Sequence, residues 1–427
     1  MNELLQQVRI LDPISQTDKI ADVLIVDRII QAIDTEISEI PNNIQKRNCQ
    51  GLILGPGLVD IYSHSGEPGF EDRETLASLM AAGAAGGFTR INILPDTSPT
   101  IDNPSVLTWL VKNSQETSIK APATPLSPPR LYFWGALTLA LQGQQMTELA
   151  ELADTGIVGF TDGQPIQNLG LLRRLLEYLQ PLNKPVALWP ENRDLAGKGT
   201  MREGIDSLRF GLKGNPELSE TTALAAILEC VAAIGTPVHI MRVSTDRSVE
   251  MIANAKCRGL PITASTTWMH LILNSEAIGS YEPSLRLEPP LGNPIDQEAL
   301  IQGIREGIID AVAIDHSPYT YEEKTVAFGE TPPGAIGLEI ALPLLWQSLI
   351  VTGKLSPLNL WQAISTQPAK CLKQKPAMII PGNPAELTLF DPQLNWEVNI
   401  SSLASRSANT PWLGQQIPGK VVQTWIN

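Results

Sequence analysis

Gly57-Leu58-Val59-Asp60-Ile61-Tyr62-Ser63-His64-Ser65-Gly66-Glu67-Pro68-Gly69-Phe70 decides how the chain is read. The segment opens as an apolar, β-branched run and then breaks into Ser, Gly and Pro, which predicts a buried strand followed by a loop. His64 stands where the strand gives way. In an α/β barrel, that end of a strand is where side chains from several parallel strands converge.

Outward from this segment, strand-like runs alternate with helical ones, the signature of a parallel sheet with crossover helices. Eight candidate strands fall at residues 58–62, 89–94, 130–137, 157–161, 185–189, 237–243, 261–267 and 311–315. Eight is the closing number of a (β/α)8 TIM-type barrel. Helical text separates them at 74–85, 170–179, 217–234, 297–306 and 337–352, and the Pro-rich run 121–129 reads as a loop. The two chain ends carry a different pattern. Short apolar runs between polar turns occur at 8–11, 21–26, 29–33 and 52–54, and again at 386–390, 396–400 and 421–426. We therefore expect a small β-sandwich domain built from residues 1–56 and 376–427, flanking a barrel over 57–375.

The 427 residues hold 31 Lys and Arg against 45 Asp and Glu, a formal charge of -14. Sequence-independent nucleic-acid binding needs clustered basic residues to displace counterions from phosphate, so no nucleic acid is expected. The start lacks a basic region followed by an apolar one, and no run of about 18 apolar residues occurs, so a soluble cytoplasmic protein with no membrane partner is expected. Cys49, Cys230, Cys257 and Cys371 are scattered without metal or redox spacing and read as reduced, mostly buried thiols.

Several ordered motifs resemble the dihydroorotase branch of the metal-dependent amidohydrolases. In that family the first strand ends in Asp-x-His-x-His followed by Arg-Glu-Pro-Gly, and here the same frame runs from Asp60 to Gly69. The resemblance continues through Ala-Ala-Gly-Ala-Ala-Gly-Gly-Phe-Thr-Arg at 81–90, Leu94-Pro-Asp-Thr-Ser-Pro, Glu298-Ala-Leu-Ile, Asp310-Ala-Val-Ala-Ile-Asp-His-Ser-Pro, Glu322-Glu-Lys and Gly337-Leu-Glu-Ile-Ala-Leu-Pro-Leu-Leu. It closes with Phe390-Asp-Pro and Ser405-Arg-Ser-Ala-Asn-Thr-Pro-Trp.

What the resemblance implies is hydrolysis of a cyclic amide such as dihydroorotate by a hydroxide generated on two bridged divalent metals. Four imidazoles, a bridging carboxylate or carbamylated lysine, and an aspartate proton shuttle after the eighth strand would form the site. Position by position, the first histidine slot is Tyr62 and the second is His64. The bridging slot is Asp162, the fifth-strand histidine slot is Trp189, the sixth-strand slot is Arg242, and the shuttle is Asp315. Three of four imidazoles are missing, and the whole chain has only four histidines, His64, His239, His270 and His316. The substrate clamp is altered too. The family arginine is Gly66, its asparagines are Asp96 and Glu288, and its closing arginine is Gly292.

The expected function is therefore a dihydroorotase-like protein of pyrimidine biosynthesis that is non-catalytic, oligomeric, and a structural partner of aspartate transcarbamoylase, a role known for relatives lacking the metal site. No cofactor is expected. Two carboxylates left without cations are costly, so Arg242 is expected to pair with Asp162, Asp315 or both; the alternative is a guanidinium pointing to solvent. The competing function is an active cyclic amidohydrolase holding one zinc on His64, Asp162 and Asp315.

Overall fold

Leu58–Ser63 forms the first barrel strand with all six residues buried, and its side chains fix what surrounds it. The computed structural model describes residues 2–38, 44–121 and 124–426. Leu58–Ser63 pairs in parallel with Phe88–Ile93, which pairs with Arg130–Gly135, which pairs with Gly159–Phe160. A second parallel arc runs Ala187–Leu188, Val238–Ile240, Ile262–Thr267, Ala311–Ala313. A parallel bridge between Phe160 and Val186 joins the two arcs. The circle closes where Asp315 N–H donates to the Tyr62 carbonyl (3.1 Å) and His64 N–H donates to the His316 carbonyl (2.9 Å). Buried Asp60 secures this seam, accepting from the Ile314 N–H at 2.9 Å and from the Ser63 hydroxyl. All eight expected strands are present, although the fourth and fifth are only two residues long.

The helices begin where the sequence supplies acceptors for their free N–H groups. Thr75 and Ser78 make a capping box for Leu76–Ala85, and Asn168 caps Leu169–Leu179. In the latter, Leu171, Leu172, Leu175, Leu176 and Leu179 form the buried stripe at helical spacing. The helix expected over 337–352 starts only at Ala341 and widens into a π-helical turn over Trp346–Val351. Part of the loop expected at 121–129 lies outside the described residues.

The chain ends come together as one continuous seven-stranded sheet. Its order is Gln416–Trp425, Leu387–Glu397, Ile53–Pro56, Glu3–Asp12, Thr17–Val26, Ile29–Asp34, with Gln45–Asn48 also paired to Glu3–Asp12. Glu3–Asp12 holds two neighbours along one edge because a bulge at Gln7, φ 57°, bends it between them. The strand expected at 396–400 is instead the end of Leu387–Glu397. Leu5, Val8, Ile10, Val23, Leu54 and Leu387 form this sheet's own core. Arg90 ties the barrel to it, its guanidinium donating to both oxygens of Glu386 at 2.7 and 2.8 Å. Of the four free cysteines, Cys49 is buried and Cys257 is exposed, against the expectation of mostly buried thiols. Among the described residues no helix is long and apolar enough to cross a membrane.

Candidate functional site at the carboxyl edge of the barrel

Tyr62, in the first imidazole slot, points across the barrel rather than into solvent. Its hydroxyl lies 3.0 Å from the Ser265 hydroxyl and accepts the Arg242 N–H at 3.1 Å. Arg242 and Asp315 both have left-handed backbones, φ 54° and 52°. Such geometry is uncommon for residues other than glycine and persists only where surroundings enforce it.

The Arg242 guanidinium forks onto Asp315, Nε to Oδ2 at 2.8 Å and Nη2 to Oδ1 at 2.7 Å, while Nη1 donates to the Gly163 carbonyl at 3.0 Å. The Trp189 ring covers it at 4.8 Å and the Tyr62 ring lies at 5.7 Å. Arg242 is 5 % exposed and Asp315 14 %. The alternative of a solvent-facing arginine is thus excluded. Burial disfavours the charged form of each partner, but each stabilises the other: Asp315 is held well below the ordinary carboxylate range by Arg242 and His64, and Arg242 is raised.

His64 extends the chain of charge. Its Nδ1 sits 2.5 Å from Asp96 Oδ2, and its Nε2 is 3.5 Å from Asp315 Oδ1. Burial opposes protonation, yet Asp96 and Asp315 together raise the ring to about 9. A charged imidazole donates at both nitrogens. The 3.3 Å approach of Arg242 Nη2 to Nε2 is therefore a contact between like charges, held by the two aspartates. Asp96, which stands at a family asparagine position, serves as the partner of His64.

Of the two carboxylates expected to meet Arg242, Asp315 does and Asp162 does not. The Asp162 Oδ1 accepts the N–H groups of Leu137 and Thr138 at 2.8 and 2.9 Å, and its Oδ2 accepts the Thr138 hydroxyl at 2.5 Å. It has no hydrogen bond to Arg242; the guanidinium takes the carbonyl of the next residue. Burial pushes the Asp162 carboxyl up to about 6 despite these donors. The other histidines are structural. His239 bonds Thr263 and Ser265 at 2.8 and 2.9 Å, and His270 bonds Thr267 at 2.7 Å. Burial pushes these two rings down to about 3 and 4, leaving them neutral. His316 receives the Gly337 N–H at 3.1 Å and faces Glu74.

These residues do not fit the metal centre of the family. Asp162 is turned away, Asp315 has both oxygens on a guanidinium, and a fixed positive charge stands beside His64. Among the described residues, the groups whose ligand atoms gather within 4.8 Å of one another are Glu217, Asp246 and Asp296, none of which lines this pocket. What remains open is a cavity of about 130 Å³ bordered by His64, Asp96, Trp189, Arg242, Glu288 and Tyr319. Two positions of the family's substrate clamp are held by other contacts. A Cβ at Gly66 would come within 2.3 Å of the Glu74 carbonyl, so the loop is packed around glycine, and Glu288 is engaged by Arg286 at 2.9 Å.

The fold and the barrel-edge site together define an amidohydrolase-type (β/α)8 barrel carrying an appended β-sheet. The L-hydantoinase (dihydropyrimidinase) of Arthrobacter aurescens is similar in structure with a TM-score of 0.85 at 20% identity, covering 99% of this chain and 94% of its own. A D-hydantoinase from Thermus sp. matches with a TM-score of 0.78 at 21% identity over 98% and 93%. Within that class, residues 51–248 match the dihydro-orotase-like family model. A probable dihydroorotase-like protein of Synechocystis sp. is 43% identical over 97% of this chain and 98% of its own length. The dihydroorotase of Pelobacter propionicus is 35% identical over 100% and 98%. The chain belongs to the dihydroorotase-like family.

Proposed function

We propose that this chain is a non-catalytic member of its family, a cytoplasmic structural component of pyrimidine biosynthesis that associates with aspartate transcarbamoylase. The observation that carries the proposal is the Arg242 fork on Asp315. It occupies both oxygens of the residue that would shuttle the proton, and it places a permanent cation where a divalent metal would meet repulsion. Tyr62 and Trp189 supply no metal ligand in place of imidazole. A one-zinc hydrolase on His64, Asp162 and Asp315 is disfavoured because Asp162 serves Leu137 and Thr138.

The partner follows from the family resemblance and agrees with apolar side chains left exposed on the helices that follow the fifth and seventh barrel strands. Ile205 and Leu208 are each 85% exposed and Ile295 is 72%. Ile205 and Leu208 lie one turn apart on the helix Ile205–Phe210, and Ile295 opens the helix Pro294–Glu306, whose cap residue Asn293 lies close to Gly204. Apolar residues left exposed in a group are the mark of an association surface. Co-sedimentation with aspartate transcarbamoylase tests the proposal. A complex lost in an Ile205→Asp, Leu208→Asp variant supports it, whereas two independent species at micromolar concentrations overturn the partnership. Dihydroorotate turnover by the unmodified chain overturns the non-catalytic assignment.

A further inference from the structure

We propose that the carboxyl edge of this barrel is a guanidinium-binding site which the chain fills with its own Arg242 side chain. The inference concerns the same site as the proposed function but stands apart from partner binding and from turnover.

The acceptors around the guanidinium come from separate elements. Asp315 supplies two oxygens after the eighth strand, Gly163 a carbonyl after the fourth, and Trp189 an aromatic face after the fifth. Two parallel acceptors facing a fork, a third at its far corner and an aromatic face 4.8 Å from its central carbon are complementary to a planar cation and not to a spherical one. A metal ion would need ligands converging on a point. Asp162, the carboxylate nearest in sequence to Gly163, faces away.

The main chain that carries the cradle is also held by contacts that do not involve the guanidinium, and His64 remains beside the Asp315 carboxylate. The Arg242 backbone is anchored by its N–H on the Tyr62 hydroxyl, and Trp189 is buried at 4% exposure. Asp60 and the seam of main-chain bonds hold the approach to Asp315. Shortening Arg242 therefore leaves the main chain bearing the acceptors in place, next to a cavity of about 130 Å³ through which a small ligand can enter. The expected ligand class is a small alkylguanidinium.

The test uses the full-length chain. Arg242→Ala should lower the melting temperature by about 3 to 5 °C, the loss expected from a broken buried pair in a protein of this size. Millimolar methylguanidinium should restore most of that loss, while equal concentrations of sodium or tetramethylammonium should not. The unmodified protein should respond to none of the three, because Arg242 fills the site. Arg242→Ala with Asp315→Asn should also be indifferent to methylguanidinium. If Arg242→Ala does not fold, Arg242→Gly, which suits the left-handed backbone at this position, carries the same measurement. Equal rescue by all cations, no rescue, or stronger stabilisation of the variant by zinc than by methylguanidinium would each overturn the proposal.

Discussion

Replacing Arg242 by Met keeps much of the side chain's volume and removes its charge, which isolates the ion pair from packing. Arg242 and Asp315 are 5 % and 14 % exposed, so Asp315 would be left buried with His64, 3.5 Å away, as its remaining cation. Removing one member of a buried pair costs 3–5 kcal/mol in general, and the presence of His64 places this case at the lower end, about 3 kcal/mol. Unfolding entropy of about 2.1 cal/mol/K per residue makes this a fall of roughly 3 °C for a chain of 427 residues. Asp315→Asn should cost a similar amount, because it leaves Arg242 and a charged His64 facing each other 3.3 Å apart. The double variant removes both the attraction and the stranded charge, so its loss should fall short of the sum of the single losses by about 2 kcal/mol. Calorimetry on the four proteins at pH 7 measures this. Losses that add to within about 0.5 kcal/mol would refute the reasoning, since they would mean the two groups are energetically independent.

Three further outcomes follow from the same geometry. His64 has a folded value near 9, above its ordinary 6.5. The stability it contributes is therefore fully present below about pH 6.5 and is lost as pH rises through 9. Melting curves from pH 6 to 10 should show that decline, and His64→Gln should flatten it. Asp162→Asn should cost about 1 kcal/mol through weaker bonds to Leu137 and Thr138, with the response of Arg242→Ala to methylguanidinium retained; loss of that response would place Asp162 in the cradle after all. Gly66→Arg, which restores the arginine of the family motif, should lower thermal stability by about 1–3 kcal/mol through overpacking, because its Cβ would meet the Glu74 and Phe70 carbonyls at 2.3 and 2.5 Å. Unchanged stability would show that this loop yields easily.

The barrel was legible in sequence because a parallel strand buried on both faces writes itself as an apolar run, as in Leu58–Ser63. The pairing of Arg242 with Asp315 was legible for a different reason: charge has to balance in a buried space. Asp162 was not, because its partners are the main-chain N–H groups of Leu137 and Thr138, and every residue but proline offers such a donor. Trp189 read as a missing imidazole, and its service as an aromatic face for Arg242 depends on how the fifth and sixth strands lie side by side. Asp96 read as an altered position of the substrate clamp, whereas the structure makes it the partner of His64. In the terminal sheet, alternation identified strands and their buried faces but not their neighbours. Glu3–Asp12 pairs with Gln45–Asn48 and Ile53–Pro56 along the same edge because of one bulge, and no pattern of hydrophobicity specifies that.

The most direct test of the non-catalytic assignment is dihydroorotate turnover by the full-length chain with zinc or manganese added, with bound metal determined on the same sample. Absence of turnover with substoichiometric metal is the predicted result. Stoichiometric metal and turnover that disappears in Asp315→Asn would contradict it, and would mean that Arg242 leaves Asp315 during catalysis.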